Sequence, residues 1–499
     1  MVARTLSSTH QGPDGSVVEI QASLQKALPT IVITGLPGDI VRESRERIRA
    51  CLGSLGFEVP SERLVVHLSP ATEKKQGSQL DLGIAVAMLV CENKVQGSVD
   101  GVGFLGELSL DGRVRAVRGA LALAEALLNV RGVERVFLPR ENLLEASLLG
   151  SSKFVPVESL SQVLEVLSGR APAPSYPLEP PPQQSVCLSE PLDRIQGQRL
   201  AKRALQIALA GRHHLLLVGP PGVGKSLLAQ SAPFLMPALS RPELIELVKN
   251  QGFYKPGPLT RPFRSPHHSV SAAGLLGGGT GLVQSGEVTL AHTGVLFLDE
   301  LPEFRKDVLE GLREPLQAGE ISLIRVGSRV TLPSRFLLIG AMNPCPCGYD
   351  CDPHRRCLCP PGKAAAYRRR LSGPLYDRID LCVFLTTPTR PLENVESDHA
   401  RIRDSIARVH DLQAERYGKP GTLNGDCEVD ILEGPFHLDT ESREWIEALC
   451  VREYLSFRSL HKTIRVARTI ADLERLDSIG VDQLREAWEF RCRDLSSWR

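Results

Sequence analysis

The sequence lacks any long apolar run. No stretch approaches the ~18 consecutive apolar residues of a membrane-spanning helix, and residues 1–16, MVARTLSSTHQGPDGS, contain no apolar segment of the kind found in secretory signal peptides. We therefore expect neither a signal peptide nor a membrane span, and we expect a cytoplasmic protein.

The sequence also lacks an excess of charge of either sign. Its 59 Lys and Arg residues balance 58 Asp and Glu residues, so the net charge is +1 and the isoelectric point is near 7.6. This balance excludes a surface that is cationic throughout. Any nucleic-acid site must then be a local basic patch.

What is present indicates a globular chain of several domains. With 42% hydrophobic residues over 499 positions, about three domains of ~150 residues each are expected. The segment APAPSYPLEPPPQQ, residues 171–184, is rich in proline, which disfavours helices and central strands and is typical of a linker. We predict a first domain over 1–170, a linker over 171–190, a core over 191–392 and a last domain over 393–499.

The three domains differ in pattern. The first alternates strand-like and helix-like segments, including LPTIVITGLPG, RLVVHLSPA and VERVFLPREN, and is predicted to be mixed α/β. The core contains HHLLLVG, GVLFLDE and RFLLIGA, short apolar runs typical of buried parallel strands, so we predict a doubly wound α/β sheet. The last domain repeats apolar residues at helical spacing.

A phosphate-binding loop follows the first of these core strands. The segment GPPGVGKS matches G-x-x-x-x-G-K-[ST] and precedes a plausible helix. Its backbone amides and the helix N-terminus would face phosphate oxygens, Lys225 would meet the β and γ phosphates, and Ser226 would hold Mg²⁺. The predicted nucleotide-binding residues are Gly219, Pro220, Pro221, Gly222, Val223, Gly224, Lys225 and Ser226.

Polar residues end the other two core strands. Asp299 would bind Mg²⁺ through water, and Glu300 would orient and deprotonate the attacking water. Asn343 could reach the γ-phosphate or that water, although an asparagine before proline is also a common turn residue.

Five of the twelve cysteines lie within residues 345–359, CPCGYDCDPHRRCLC. Because cytosolic thiols stay reduced, a metal site is favoured over disulfides. The outer pairs could place four thiolates around a tetrahedral Zn²⁺. Cys351 or His354 could replace one of the four, and a reduced loop or a redox role are the alternatives. The outer pairs are Cys345 with Cys347 and Cys357 with Cys359.

Several longer segments resemble the magnesium-chelatase-like AAA+ ATPases of the YifB/ComM family. They are GEVTLAHTGVLFLDELPEF, LREPLQAGEISLIRV, AMNPCPCGY, SGPLYDRIDL and TIRVARTIADLE. The resemblance covers nearly the whole chain. It implies an AAA+ core, a helical C-terminal lid domain, ATP and Mg²⁺ as ligands, the outer four cysteines as zinc ligands, and a homo-oligomer, expected to be a hexamer.

The resemblance also implies that a neighbouring subunit completes each nucleotide site. Arg378 in DRID lies where related ATPases keep an arginine finger, although a salt bridge with Asp377 or Asp380 is the alternative. A second arginine is expected from the lid, and Arg458 fits better than Arg465.

The first domain resembles the Lon-type protease domain in SPATEKKQGSQLDLGIAVAML and FLGELSLDGRVRAVRGALALAEA. The catalytic Ser-Lys dyad is missing, because Gln79 occupies the serine position and Leu121 lies near the lysine position. Ser78 and Lys75 are poor substitutes, because neighbours on an extended strand project oppositely. We expect a domain for assembly or substrate gripping and not an active protease.

The resemblance also implies that two insertions face a central pore, because insertions at these places do so in related ATPases. Arginines there would contact DNA phosphates without reading bases. One spans residues 253–281 and includes Arg261 and Arg264. The other, residues 321–335, reads as a hairpin with Gly327 and Ser328 at its tip. Its arginines are Arg325, Arg329 and Arg335. Pairing of these arginines with acidic neighbours, or a place in subunit contacts, is the alternative.

Three functions compete. The first is a ring-forming, ATP-driven DNA motor that migrates branched DNA during recombination or uptake of transforming DNA. The second is a chelatase-type motor that remodels a partner protein for metal insertion into a porphyrin. The third is a scaffold or regulatory protease. The Lon-like domain and the cysteine insertion favour the first, and the missing dyad opposes the third.

Overall fold

The computed structural model describes residues 2–35, 38–58, 62–70, 77–174, 191–252, 260–278, 284–325, 328–350, 352, 354–387, 398–430 and 434–491. The chain forms two compact units, residues 1–182 with 244–258, and residues 183–243 with 259–499. Most of the predicted linker lies outside the described residues. Among the helices described, none is both long and apolar enough to cross a membrane.

The first unit contains a mixed seven-stranded sheet in the order β3-β4-β2-β1-β5-β8-β9. Its strands are β1 (Val2–Gln11), β2 (Asp14–Gln25), β3 (Thr30–Thr34), β4 (Arg63–Ser69), β5 (Val102–Phe104), β6 (Glu107–Leu108), β7 (Val114–Arg115), β8 (Arg135–Pro139) and β9 (Phe154–Val157), with β6 and β7 forming a separate ribbon. Its helices are α1 (Gly38–Ser54), α2 (Asp81–Cys91), α3 (Ala120–Leu128), α4 (Leu143–Ser147) and α5 (Leu160–Leu167).

Helix α2 forms the centre of this unit. Nearly all its side chains are buried, and it packs on β1 and β2, which pair antiparallel along their whole length. A helix that is apolar on all sides is stable only when it is covered on all sides. The predicted mixed α/β character is confirmed, and β3, β4 and β8 lie where the sequence predicts strands.

The segment before α2 differs from the prediction. Ser78–Leu80 is a short 3₁₀ helix and not an extended strand, so the argument from opposite projection does not apply there. Ser78 donates a hydrogen bond to Glu107, and Gln79 is buried with its amide near Thr9. Lys75 lies outside the described residues. Leu121 is fully buried in α3.

The second unit is built on a five-stranded sheet in the order β11-β14-β17-β10-β18, and every pair in it is parallel. The strands of this unit are β10 (Leu215–Val218), β11 (Phe263–Arg264), β12 (Gly277–Gly278), β13 (Gln284–Ser285), β14 (Val295–Leu298), β15 (Glu320–Arg325), β16 (Ser328–Pro333), β17 (Leu337–Met342) and β18 (Leu381–Phe384). Strands β10, β14 and β17 are buried at every residue. The predicted parallel core is confirmed.

Helices alternate with the strands of this unit and continue into a helical C-terminal region, as the sequence predicts. They are α6 (Arg199–Gly211), α7 (Lys225–Leu235), α8 (Arg241–Gln251), α9 (Ala272–Leu276), α10 (Glu287–Leu290), α11 (Lys306–Gly311), α12 (Arg313–Ala318), α13 (Lys363–Arg368), α14 (Gly373–Tyr376), α15 (Asp398–Tyr417), α16 (Thr440–Glu453), α17 (Phe457–Glu474) and α18 (Val481–Glu489). The last eight residues of α8 belong to the first unit.

Buried ion pairs connect α17 to its surroundings. Asp472 is fully buried between Arg416 of α15, 2.7 Å away, and Arg468, 2.9 Å away. Near the sheet, the carboxylate of Asp380 accepts from the Lys462 ammonium at 2.9 Å and from the backbone N–H of His214. Although burial raises the pKa of Asp380, the Lys462 charge outweighs it and the pKa falls to about 2. The carboxylate therefore stays ionised and paired.

Strands β15 and β16 form the expected antiparallel hairpin, with a shifted tip. Arg325 pairs with Ser328, so Ser328 belongs to β16 and not to the turn. Residues 326 and 327 lie outside the described residues.

Candidate nucleotide and metal sites

Three polar motifs meet at one edge of the parallel sheet. Strands β14, β17 and β10 are neighbours, and the acidic pair, Asn343 and the phosphate loop follow their carboxyl ends. Carboxyl ends of parallel strands lie at the same edge, so motifs far apart in sequence become adjacent.

The phosphate loop passes directly into α7. Gly224 caps the helix at φ 97°, a left-handed conformation that side-chain-bearing residues rarely adopt. The Lys225 ammonium donates to the carbonyl oxygens of Gly219 at 2.7 Å and Pro220 at 2.8 Å, and to Oδ1 of Asn343 at 3.1 Å. The predicted lysine and asparagine therefore lie together.

The Lys225 side chain is largely buried. Burial lowers the pKa of its ammonium to about 8, against the opposing effect of the Asp299 and Glu300 carboxylates. A cation held in a poorly hydrated site is available to bind an anionic ligand.

The Ser226 hydroxyl donates to Oδ2 of Asp299 at 2.8 Å. Hydroxyl and carboxylate oxygens are the ligands that Mg²⁺ prefers, and magnesium sites in such enzymes usually combine few protein oxygens with substrate phosphates. This pair therefore fits the metal ion that accompanies a nucleoside triphosphate.

Glu300 is exposed and has a strained backbone. Its φ is 51°, a left-handed value that costs a residue other than glycine on the order of 1–3 kcal/mol and is common at active sites. Its carboxylate lies 3.6 Å from Nδ1 of His268. The sequence assigned His268 to a pore insertion, whereas it lies beside the predicted general base. No signal in the sequence places His268 there, because the adjacency of β11 and β14 is a matter of sheet order.

The four outer cysteines converge. Their Sγ atoms all lie within 4.8 Å of one another, and Cys345 is 3.3 Å from Cys347 and 3.7 Å from Cys357. Zinc–sulfur bonds of about 2.3 Å in a tetrahedron would separate the sulfurs by about 3.8 Å, so the set fits Zn²⁺. Cys351 lies outside the described residues, and His354 is exposed and outside the cluster.

The pKa values of two of these thiols are shifted in opposite directions. Burial raises the pKa of Cys345. Burial also acts to raise the pKa of Cys347, but the backbone N–H groups of Tyr349 and Leu358 outweigh it and the pKa falls to about 6. A thiolate is therefore accessible at neutral pH, and the thiolate is the form that binds zinc.

An internal brace holds the cysteine segment. The buried guanidinium of Arg368 donates to the Asp350 carboxylate at 2.6 Å and to the Pro344 carbonyl at 3.2 Å. The backbone N–H of Asp350 in turn donates to Sγ of Cys345 at 3.3 Å. The first half of the segment is thus tied to α13.

Arg378 lies at the opposite edge of the sheet. It precedes β18, whose first residue bonds to His214 at the start of β10, whereas the phosphate loop follows the end of β10. The four residues of β10 span about 13 Å. The Arg378 guanidinium donates to the carbonyls of Arg313 and Pro374 and, at 2.7 Å, to Oε1 of Gln317. Its hydrogen bonds thus differ from the salt bridges considered as alternatives, and Asp380 is paired with Lys462.

Arg458 is exposed at the start of α17. Burial lowers the pKa of Arg378, and the positive charges of Arg458 and Arg313 lower it further. Arg458 and Arg313 are therefore near enough for their charges to act on Arg378. Arg465, two turns along α17, is half-buried, and its charge acts on His213 and Cys427. The choice of Arg458 over Arg465 as the lid arginine stays a prediction.

Two of the arginines predicted to contact DNA are paired with acidic side chains of the protein itself. Arg261 is buried and pairs with Glu243 at 2.9 Å, so its prediction as a DNA contact is wrong in this structure. Arg264 forms two hydrogen bonds, at 2.5 and 2.7 Å, with Glu287. Both follow the acidic-neighbour alternative.

The other three predicted contacts belong to the hairpin. Arg335 is half-buried beside Gly319. The backbones of Arg325 and Arg329 lie in β15 and β16, and their side chains lie outside the described residues. Parts of the first insertion, residues 253–259 and 279–281, also lie outside them.

Taken together, the parallel sheet, the phosphate loop and the acidic pair define a P-loop nucleoside triphosphatase. Family profiles match three stretches of the chain. Residues 191–392 match "Magnesium chelatase, subunit ChlI", residues 18–142 match "Subunit ChlI of Mg-chelatase", and residues 396–491 match "Magnesium chelatase, subunit ChlI C-terminal".

The YifB and ComM relatives match over nearly their full length, and an MCM9 relative matches over part of it. "Uncharacterized protein YifB" of Escherichia coli is 35% identical, covering 97% of this chain and 96% of that protein. "Competence protein ComM" of Haemophilus influenzae is 35% identical, covering 98% and 97%. "Probable DNA helicase MCM9" of Oryza sativa is 27% identical, covering 38% and 24%. The chain belongs to the magnesium-chelatase-like AAA+ ATPase family that includes YifB and ComM, and this membership supports ATP hydrolysis with Mg²⁺.

The titration of Lys225 predicts a pH-dependent nucleotide affinity. Because its pKa in the free protein is about 8, the ammonium is lost as pH rises through that value. Affinity for a fluorescent ATP analogue, measured without Mg²⁺, should fall about tenfold between pH 7 and pH 9. Lys225→Arg is the control, since a guanidinium does not titrate in this range, and its weaker binding should not change with pH. Equal pH profiles would contradict the assignment.

The thiol cluster predicts about one zinc per chain. Cys357→Ser should reduce zinc content, measured by mass spectrometry on the purified protein, to below about a tenth of the native value, because a closed tetrahedral site needs all four ligands. His354→Ala should retain full zinc content, since its imidazole lies outside the cluster. The reverse pattern would show that the ligand set is different.

Proposed function

We propose that the chain is a ring-forming, ATP-driven DNA motor, hexameric in its active state, that acts on branched DNA in homologous recombination or natural transformation. A connection between Arg378 and the β15–β16 hairpin carries the proposal. It would allow hydrolysis at one subunit boundary to move a DNA-contacting element.

The residues at the carboxyl edge of the sheet have complementary roles. Glu300 would accept the proton of the attacking water, and Lys225 would stabilise charge on the phosphates. Asn343, already bonded to Lys225, would orient the water or the γ-phosphate. Ser226 and Asp299 would hold Mg²⁺, which supplies charge neutralisation and alignment of the phosphates when bound.

The arginines at the amino edge would serve the next subunit. The charges of Arg458 and Arg313 act on Arg378, as do those of the Asp377 and Glu310 carboxylates, and Arg313 is paired with Glu310. In the proposed assembly the Arg378 guanidinium would meet the neighbour's triphosphate. Since about 13 Å of strand separates this edge from the subunit's own phosphate loop, we assign Arg378 and Arg458 to the nucleotide of a neighbour. A head-to-tail arrangement of this kind forms a ring when the rotation between subunits closes, and otherwise a helical filament. We propose the ring.

Helix α12 connects this cluster to the hairpin. Arg378 bonds to the Arg313 carbonyl and to Gln317, both in α12, and β15 begins only two residues after that helix ends. The Glu314 carboxylate accepts from the backbone N–H of Ser322 in β15. A displacement of Arg378 on hydrolysis would therefore be transmitted to the hairpin through a few short contacts.

DNA is the proposed substrate of the hairpin. Arg325 and Arg329 belong to its two strands, and a ring brings such residues together from every subunit, so a near-neutral chain can still present a basic pore. A relative named as a competence protein and one named as a probable DNA helicase support a DNA-related role. The second candidate is a motor that remodels a protein partner, in line with the magnesium chelatase profiles.

Trans-acting arginines predict complementation between inactive variants. Arg378→Ala should lower the hydrolysis rate by ~10³-fold or more, and Glu300→Gln should abolish hydrolysis. Mixed in equal amounts, the two should recover up to about a quarter of the native rate, because about a quarter of head-to-tail boundaries then join an intact Glu300 to an intact Arg378.

The matched control is the double variant Arg378→Ala/Glu300→Gln mixed with Arg378→Ala. No boundary in that mixture contains an intact arginine, so no activity should return. Failure of the first mixture to recover, with rings still assembled by size-exclusion chromatography, would show that Arg378 acts in its own subunit.

The DNA proposal predicts that a forked or four-way DNA stimulates ATP hydrolysis and that moderate salt removes the stimulation. Glu300→Gln serves as the blank. Arg325→Ala/Arg329→Ala should lower the stimulation relative to its own rate without DNA, whereas Arg485→Ala, an exposed arginine of α18, should not. Hydrolysis that ignores every DNA form while rings assemble would favour a protein-remodelling motor.

A further inference from the structure

The cysteine segment approaches the phosphate loop at Gly348. Gly348, the residue after Cys347, has φ 87°, and a methyl group at its Cα would come within 2.6 Å of Cδ of Pro221. Real contacts of this kind are almost never shorter than 3.0 Å. The backbone of Gly348 therefore packs directly against the proline ring, and only glycine fits both the left-handed conformation and the space.

The position of Gly348 depends on the thiols. Its backbone N–H donates to the Cys345 carbonyl at 2.9 Å, closing a turn that carries two of the four sulfurs. Asp350, two residues on, donates to Sγ of Cys345 and is paired with Arg368. Gathering the sulfurs around one metal ion would fix this turn, and separating them would release it.

Pro221 lies at the third position of the phosphate loop. The two residues before it provide the carbonyls that hold the Lys225 ammonium, and the residues after it lead to the start of α7. A shift of its ring therefore changes the loop whose amides and lysine would bind phosphate.

We propose that Gly348 is a positioning residue for ATP binding, and that the metal-loaded thiol cluster sets nucleotide affinity by holding Gly348 against Pro221. This inference rests on the proposed zinc site and is independent of whether the motor acts on DNA. The cluster then serves the nucleotide site itself, in addition to bracing an insertion.

A double-mutant cycle on the full-length protein tests the contact. Affinity for a fluorescent ATP analogue is measured without DNA for native protein, Gly348→Ala, Pro221→Ala and the double variant. Gly348→Ala should weaken binding about tenfold or more, since small misplacements of binding groups have effects of this size. In the Pro221→Ala background, which lacks Cδ and Cγ, the same change should weaken binding less than about twofold.

Gly362→Ala is the matched control. Gly362 also has a positive φ, 78°, at the end of the same segment, but a methyl group there meets nothing within 4 Å. It should reproduce the backbone strain and leave nucleotide affinity unchanged. Equal effects of Gly348→Ala in both Pro221 backgrounds, or an equal effect of Gly362→Ala, would overturn the proposed contact.

Zinc content and affinity are measured on the same samples. Removing zinc from native protein with a chelator should weaken ATP binding about as much as Gly348→Ala does, with the far-ultraviolet circular dichroism unchanged. Unchanged affinity after removal would overturn the coupling. Native protein that contains no zinc would instead refute the proposed metal site. If zinc removal weakens ATP binding but DNA does not stimulate ATP hydrolysis, only the proposal of a DNA motor would be refuted.

Discussion

The parallel direction of the five core strands is the constraint on which the rest of the second unit depends. It places the phosphate loop, Asp299 and Asn343 at one edge and Arg378 at the other. The length of a four-residue strand lies between Arg378 and its own phosphate loop, and Arg378 does not reach across it. The two groups nevertheless belong to the same domain. Under the proposed assembly, each subunit therefore offers a nucleotide pocket on one side and the groups that complete a pocket on the other.

Sequence reasoning succeeded where function is local or where burial is complete. Strands β10, β14 and β17 are apolar at every position because both faces are covered, and such runs are readable without knowing the fold. The phosphate loop is a continuous motif whose geometry depends on its own glycines. The four cysteines are close in sequence, so their convergence needs only a turn.

Sequence reasoning failed where the role of a side chain depends on residues that are distant in the chain. Arg261 is paired with Glu243 and Arg264 with Glu287. Neither pairing follows from composition, since basic residues in a Gly- and Pro-rich segment are as easily internal as exposed. His268 lies beside Glu300 because β11 and β14 are adjacent strands, a fact of sheet order. The contact between Gly348 and Pro221 is of the same kind, because it joins two loops about 130 positions apart that leave the same sheet edge.

The buried pair of Asp380 and Lys462 has a mechanical consequence. Asp380 follows Arg378 by two residues, and Lys462 follows Arg458 by one turn of α17. This ionic contact therefore joins the chain segment that carries the half-buried Arg378 to the segment that carries the exposed Arg458. Breaking it would leave a buried charge without a partner, which is strongly unfavourable. The helical lid and the sheet would therefore move together as a rigid body at this end. In a ring of such subunits, the nucleotide sites would change when whole subunits rotate relative to one another, and not when one subunit bends internally.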